Sequence, residues 1–203
     1  MIPRISISSI RRIRALSVVE LLVVMVVLIV LLSLAAPAVL SPLRGSNLNR
    51  AGQIVGDQIA LARQEALTRN REVQVRFYHW PSGLNAGWRG VLAWRVEMEN
   101  GDLTEVPVSR LQKLPDGIAI SDQSSLSPLL DADNTIGGQA TIGNEKVHYV
   151  GFRFRPGGGT DSSVTATNNF LTLHAIEDKS SPPANFYTLQ VDPLTGKVSV
   201  FRP

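Results

Sequence analysis

The chain has 203 residues, of which 44% are hydrophobic and 18% are charged, and its formal net charge at pH 7 is +3. This length fits one domain with one modest core, and the absence of cysteine excludes disulfide bonds and thiol redox chemistry. Four arginines and no acidic residue lie in the first 15 positions, so the remainder carries a formal charge of −1. That balance argues against nucleic-acid binding through overall charge.

A membrane-length apolar segment follows the basic start of the chain. Within residues 21–40 only Ser33 and Pro37 are not plainly apolar, and about 20 apolar residues are enough to cross a bilayer as a helix. The excess of arginine before the segment predicts a cytoplasmic start, with everything after Leu40 on the far side of the membrane. These arginines are Arg4, Arg11, Arg12 and Arg14.

A single carboxylate, Glu20, stands at the start of the apolar segment. A charged side chain costs up to ~2.5–3.5 kcal/mol at the centre of a bilayer and less near its surface, so it usually has a function. One alternative is a simple signal anchor in which Glu20 reaches toward water. A cleaved secretory signal peptide fits poorly, because the apolar segment exceeds the ~7–15 residues of such signals.

The residues around Glu20 resemble the processing site of type IV pilins and type II secretion pseudopilins. That site has a small residue, a hydrophobic residue, a glutamate four positions later and then an apolar stretch, which Ala15, Leu16, Glu20 and residues 21–30 match. Pro37 stands at the matching distance down the helix. The resemblance implies that prepilin peptidase cuts between Ala15 and Leu16 and methylates the new amine of Leu16.

The same resemblance implies a role for Glu20 in assembly. A carboxylate in a medium of low dielectric constant needs a cationic partner, and the amine of Leu16 on a neighbouring subunit can supply one. Glu20 is therefore expected to set the register between adjacent subunits.

An amphipathic helix is predicted after the apolar segment. Its apolar residues recur three, four or seven positions apart, which places them on one face. They are Leu48, Ala51, Val55, Ile59, Ala62 and Ala66. By resemblance this is the second half of one long bent helix. Pro37 and Pro42 are the predicted bend points, because proline removes a helical N–H and crowds the preceding turn.

From Glu72 onward the apolar period is two, which predicts strands. Asn100-Gly101 predicts a hairpin turn, Pro107 predicts an edge strand, and Leu126 to Gly143 is interpreted as a polar insertion. The predicted strands cover residues 73–78, 88–99, 103–109, 117–121, 146–155, 170–176, 186–191 and 197–201. A long helix followed only by strands predicts an α+β fold with an antiparallel sheet.

Two segments near the end of the chain resemble one particular group of pilin-like proteins. The segment from Phe152 to Gly157 and the later one from Asp192 to Val200 are similar to the order of strands and turns that ends the GspH and FimT minor pseudopilins. The long insertions are also similar to pilin-like proteins such as the Verru_Chthon cassette D family, whose role is not established. The expected organisation is a basic leader (1–15), a transmembrane and filament-core helix (16–40), its amphipathic continuation (41–70) and a β-rich head (71–203).

No pattern in the chain predicts an enzyme, a cofactor or a metal site. His79, His148 and His174 are scattered among the predicted strands without a second ligand at close spacing. A calcium loop beginning at Asp131 needs glycine and glutamate where isoleucines stand at 136 and 142, so a solvated turn is predicted there. Residues 157–160 lack the ending of a phosphate loop and predict another turn. The tryptophans, Trp80, Trp88 and Trp94, are expected to pack under the helix or against a neighbouring subunit.

Two classes of function follow. The first is a minor pilin or pseudopilin, a structural subunit held in the bacterial inner membrane with its head in the periplasm until it enters a fibre. Its partners are prepilin peptidase, other pilin or pseudopilin subunits and the membrane.

The second class is a FimT-like minor pilin that binds DNA during uptake, through phosphate contacts from Arg153, Arg155, Lys197 and Arg202. The alternative interpretation of these cations is that charges on edge strands prevent unwanted pairing, and the near-neutral charge of the chain after residue 15 favours it. A simple membrane-anchored periplasmic domain is a further alternative.

Overall fold

The computed structural model describes residues 17–83, 86–99, 101–131, 136–162 and 169–203, with side chains except at positions 34–44 and 99. The chain divides into two units, residues 1–42 and Leu43–Pro203, and helix α1 (Val18–Arg69) contributes residues to both. The predicted cleavage site at Ala15 and Leu16 lies outside the described residues. The bends predicted at Pro37 and Pro42 fall where side chains are not described, and they stay predictions.

The described apolar side chains of helix α1 in the first unit are exposed. Those between Val18 and Leu32 are 48–81% accessible, and Glu20 lies among them in the first helical turn. Within the part of the chain that the structure describes, no helix combines the length and apolarity of a membrane span. The transmembrane prediction is therefore not confirmed.

The second unit is an α+β head in which the remainder of α1 packs on an antiparallel sheet, as predicted. The six apolar residues expected on one helix face are all 0–2% accessible. They contact a row of apolar side chains on one face of the sheet, which together form the main core. The sheet contributes Val73, Val75, Phe77, Val91, Ala93, Phe152, Phe154, Leu171, Leu173, Leu189 and Val191.

The described residues include ten strands in one sheet with antiparallel pairing throughout. The order across the sheet is β10-β9-β8-β5-β2-β1-β7-β6, and β3 and β4 both pair with β2. The strands are β1 (Val73–Trp80), β2 (Gly87–Glu99), β3 (Asp102–Pro107), β4 (Gln112–Lys113), β5 (Ile118–Ile120), β6 (Ile136–Ile142), β7 (Glu145–Phe154), β8 (Phe170–Ala175), β9 (Phe186–Val191) and β10 (Val198–Phe201).

The hairpin predicted at Asn100-Gly101 is confirmed, because Glu99 of β2 pairs directly with Asp102 of β3. Gly101 has a φ of +92°, a value that residues with a side chain rarely adopt. Asn100 itself lies outside the described residues. Within those residues β3 pairs only with β2, so the edge position predicted from Pro107 is also confirmed.

The prediction of a polar insertion from Leu126 to Gly143 is wrong. The segment contains a 3-10 turn at Pro128–Leu130, whose two leucines are buried, and strand β6. Glycines at positions 137 and 138 interrupt the apolar alternation that would have marked β6, and a three-residue turn is too short to show a helical period. Strand β4 was not predicted either, because its two residues are too few to show a period of two.

Candidate functional site

A second buried cluster lies on the face of the sheet opposite helix α1. Successive side chains of a strand point to opposite faces, so Tyr78 and Trp80 point away from the helix while their neighbours in β1 point toward it. They form this cluster with Leu92 and Val147, against which Trp94 and other side chains pack. We call this face the outer face.

The tryptophans were expected to pack under the helix or against a neighbouring subunit. A position under the helix is wrong for two of them, and contact with a neighbouring subunit stays a prediction. Trp80 and Trp94 belong to the outer face, whereas Trp88 packs against the main core on the helix side. The sequence could not distinguish these positions, because a β-bulge in the pairing of β1 with β2 shifts the register between Tyr78 and His79.

Arg76 lies at the centre of the outer face, where it is 5% accessible. Its Nε donates a hydrogen bond to Gln74 Oε1 at 2.9 Å, and its guanidinium also pairs with Glu105. The guanidinium carbon is 4.5 Å from the centre of the Tyr149 ring and 5.2 Å from that of Trp94. A cation over an aromatic face gains about 0.5–2 kcal/mol, so the arginine and the two rings hold one another in place.

The aromatic side chains are themselves joined by hydrogen bonding. The Trp94 indole N–H donates to the Tyr78 hydroxyl at 2.8 Å, and the rings of Tyr78 and Tyr149 have centres 5.9 Å apart. Burial raises the pKa of Tyr78 above its ordinary value, so its hydroxyl keeps its proton at neutral pH.

These side chains line a concave groove of about 560 Å³ on the outer face. Residues 139–143 of β6 and the following turn lie on one side, and Glu105 and Leu111 lie on the other. Because Glu105 neutralises Arg76 within the groove, its lining suits an apolar or aromatic group better than a charged one. Sequence reasoning missed the groove, since residues far apart in sequence meet only through the sheet register.

The predicted assembly residue Glu20 has an exposed side chain in the first turn of helix α1. A carboxylate at this position is favoured by the helix dipole. Its apolar neighbours along the chain are 57–81% accessible, namely Val18, Val19, Leu21 and Leu22. The carboxylate and the apolar surface around it are therefore open to contact with another molecule.

The four cations predicted for DNA binding do not form one patch. Arg155 and Lys197 lie in two turns that contact each other, and Arg153 is 3.9 Å from a carboxylate oxygen of Glu72. Arg202 lies beyond the other end of β10, five extended residues or about 17 Å from Lys197. The side chain of Arg202 bonds to that of Asn49 in helix α1.

Two histidines that are far apart in the sequence are neighbours in the structure. His79 of β1 and His148 of β7 occupy directly opposite positions in the antiparallel register. The His79 ring stands edge-on to that of Trp88, with ring centres 5.0 Å apart. Burial lowers the pKa of His79, and the charge of His148 lowers it further.

The described residues outside the outer face include other sites considered from the sequence. Across the described ranges no three His, Cys, Asp or Glu side chains gather as a metal-ligand set. His174 lies on β8 with its Nδ1 2.8 Å from the carbonyl oxygen of Ala175. Residues 157–160 form the predicted turn, with Gly158 at a φ of +83°. The acidic turn predicted after Asp131 lies outside the described residues.

The chain matches a family of known proteins. The model of the family described as type II transport protein GspH matches residues 53–194, which include residues 53–69 of helix α1 and strands β1 to β9. No curated protein and no solved structure matches. The matched region begins after the apolar segment, so it is independent of the residues that resemble a prepilin processing site.

Proposed function

Because the chain belongs to the GspH family of type II transport proteins, it is a minor pseudopilin that acts with other pseudopilin subunits, and we propose that it is processed and assembled as pilin-like subunits are. The observation that carries this proposal is the exposed apolar portion of helix α1 with Glu20 in its first turn. An apolar surface of this size needs cover from outside the chain.

The first step of the proposal is processing. Prepilin peptidase removes residues 1–15 by cutting between Ala15 and Leu16, and the new amine of Leu16 is methylated. The arginines of the leader hold the start of the chain in the cytoplasm. The subunit then waits in the bacterial inner membrane with its head in the periplasm.

The second step is assembly into a fibre. The apolar side chains between Val18 and Leu32 leave the bilayer and pack against the same segment of neighbouring subunits. Glu20 pairs with the amine of Leu16 on one neighbour, because a carboxylate in an apolar surrounding is stabilised by a close cation. This pairing selects one register, since the apolar side chains alone pack almost equally well after a shift.

The role of the head in this proposal is structural and not enzymatic. Helix α1 is tied to the C-terminal segment at two points, by the Arg63 Nε bond to the Thr195 carbonyl at 2.8 Å and by the bond between Arg202 and Asn49. The head therefore moves with its part of the helix as a packed body. Its exposed surfaces are available to neighbouring subunits.

Intact mass and N-terminal sequencing of the protein purified from membranes test the processing step. With active prepilin peptidase we expect a chain that starts at methylated Leu16, and without the peptidase a chain that keeps residues 1–15. Ala15→Gly preserves a small residue and should be cleaved, whereas Ala15→Leu should not. Retention of residues 1–15 beside an active peptidase would overturn the processing step and leave the family assignment intact.

A further inference from the structure

We propose that His79 and His148 form a two-histidine clamp for a divalent transition-metal ion of the kind that prefers imidazole ligands, Zn²⁺, Cu²⁺ or Ni²⁺. The clamp links strands β1 and β7 in the head. It does not depend on the processing or assembly steps proposed above.

The sheet register places both imidazoles on the same face. Directly opposite residues of an antiparallel pair project to one side with Cβ atoms about 4.5–5.5 Å apart, and His79 and His148 are such a pair. A bond from zinc to an imidazole nitrogen is about 2.0–2.1 Å long. Two rings that start this close together can therefore bind one ion between them.

The surroundings suit a metal ligand at His79. The Trp88 ring, 5.0 Å from it, limits its rotation, and a ligand whose ring is held in place loses less entropy on binding. The neutral imidazole is the form that binds a metal. The Asp122 carboxylate is near enough to interact with the charge of His79, and its negative charge attracts a cation.

The proposed clamp is open to solvent at His148. Both His148 and its partner on β6, Gln139, are exposed, so an ion can enter from solution and keep water in its remaining coordination positions. Gln139 lies on the same face, since it is directly opposite His148. Its amide oxygen is a candidate for a further ligand.

The consequence for the head is a reversible cross-link. The chain has no cysteine, so disulfide bonds cannot join its strands. An ion that binds the folded head and not the unfolded chain stabilises the folded state by mass action. Bound metal is therefore expected to raise the midpoint of thermal unfolding.

Titration of the full-length chain tests the clamp. The protein is prepared in detergent without a histidine tag, and Zn²⁺ binding is followed by calorimetry near neutral pH. We expect one saturable site that His148→Ala and His79→Ala each weaken by at least about tenfold, as loss of even an outer-shell partner often does. His174→Ala is the matched control, because it removes the third histidine of the chain, and it should leave binding unchanged.

A spectroscopic readout locates the ion independently. Cu²⁺ quenches tryptophan fluorescence at short range, so saturating Cu²⁺ should quench the wild-type chain and the Trp88→Phe variant should lose most of that effect. Since His148 is exposed, His148→Ala is expected to fold even if His79→Ala does not, which keeps the test decisive. The clamp is wrong if the wild type shows no saturable site, if His148→Ala binds Zn²⁺ as the wild type does, or if His174→Ala weakens binding equally.

Discussion

Helix α1 carries apolar side chains in two segments that differ in what covers them. Those between Val18 and Leu32 are 48–81% accessible, whereas the stripe between Leu48 and Ala66 is 0–2% accessible. Full burial of a large apolar side chain contributes about 1.5–3 kcal/mol. The head obtains that stabilisation from its own sheet, and the first segment, as the structure shows it, does not. One helix thus combines an exposed apolar segment with part of a self-supporting fold.

The largest effect is expected at Glu20. Glu20→Gln removes the charge and keeps the size of the side chain, so we expect loss of incorporation into the fibre, because no cation is then paired across the subunit contact. Unfolding of the head should not change. Glu20→Asp is the matched control and should retain part of the incorporation. The measurement is the amount of subunit in fibres sheared from cells, and wild-type incorporation of Glu20→Gln would contradict the pairing.

Two substitutions of similar chemistry compare the segments directly. Ile59→Ala leaves a cavity in the main core and should lower the free energy of unfolding by about 2–5 kcal/mol. Leu28→Ala removes a side chain that is 48% accessible and should change it by less than about 0.5 kcal/mol. Tryptophan fluorescence during denaturation of the full-length chain reports on this, since all three tryptophans lie in the head. Equal effects would contradict the division between the segments.

A substitution of Arg76 measures how much the contacts of the outer face, which no second helix covers in the described residues, stabilise the head. Arg76→Ala removes the cation between Tyr149 and Trp94 and leaves Gln74 without its hydrogen-bond donor. A buried polar group left unpaired costs about 1–3 kcal/mol, which is the expected loss in the free energy of unfolding. Arg110→Ala, at an exposed position, is the control and should be neutral. If Arg76→Ala is also neutral, the contacts of Arg76 contribute no stability to the head.

Two helix glycines are expected to respond in opposite directions. A Cβ on Gly52 would overlap the Tyr187 ring, whereas a Cβ on Gly56 would make an ordinary contact of 3.6 Å with Leu189. Gly52→Ala should therefore destabilise the head by about 1–3 kcal/mol. Gly56→Ala should stabilise it by about 0.5–1 kcal/mol, because alanine favours a helix. Thermal unfolding of both variants checks this, and a stabilised Gly52→Ala would show that the Tyr187 ring moves aside.

The smallest effect is expected in DNA binding, for substitutions of the C-terminal cations. Arg202 is separated from the turns that hold Arg155 and Lys197, and Arg153 lies beside Glu72, so these cations offer no continuous track for phosphates. We expect no salt-dependent binding of double-stranded DNA at physiological salt and no difference for Arg153→Ala combined with Arg155→Ala. Fluorescence anisotropy of labelled DNA is the measurement. Binding that weakens with salt and disappears in the double variant would restore the DNA-uptake interpretation.

Features that depend on short repeats along the chain were predictable from the sequence by itself. The spacing of apolar residues from Leu48 to Ala66 determined which helix face is buried, because a helix returns to the same side every 3.6 residues. Period two from Val73 and the turn at Asn100-Gly101 determined the first strands and their hairpin for a similar local reason. The α+β class followed from one helix and the strands after it.

Features that depend on which strands become neighbours were decided only by the tertiary structure. His79 and His148 are 69 positions apart in sequence, and the pairing of β1 with β7 places them opposite each other. The same pairing brings Tyr149 to Arg76 and creates the outer groove. Strand β6 was hidden because its glycines carry no apolar signal of their own. A strand's neighbours are selected by the packing of the whole sheet on helix α1, which no local period in the sequence encodes.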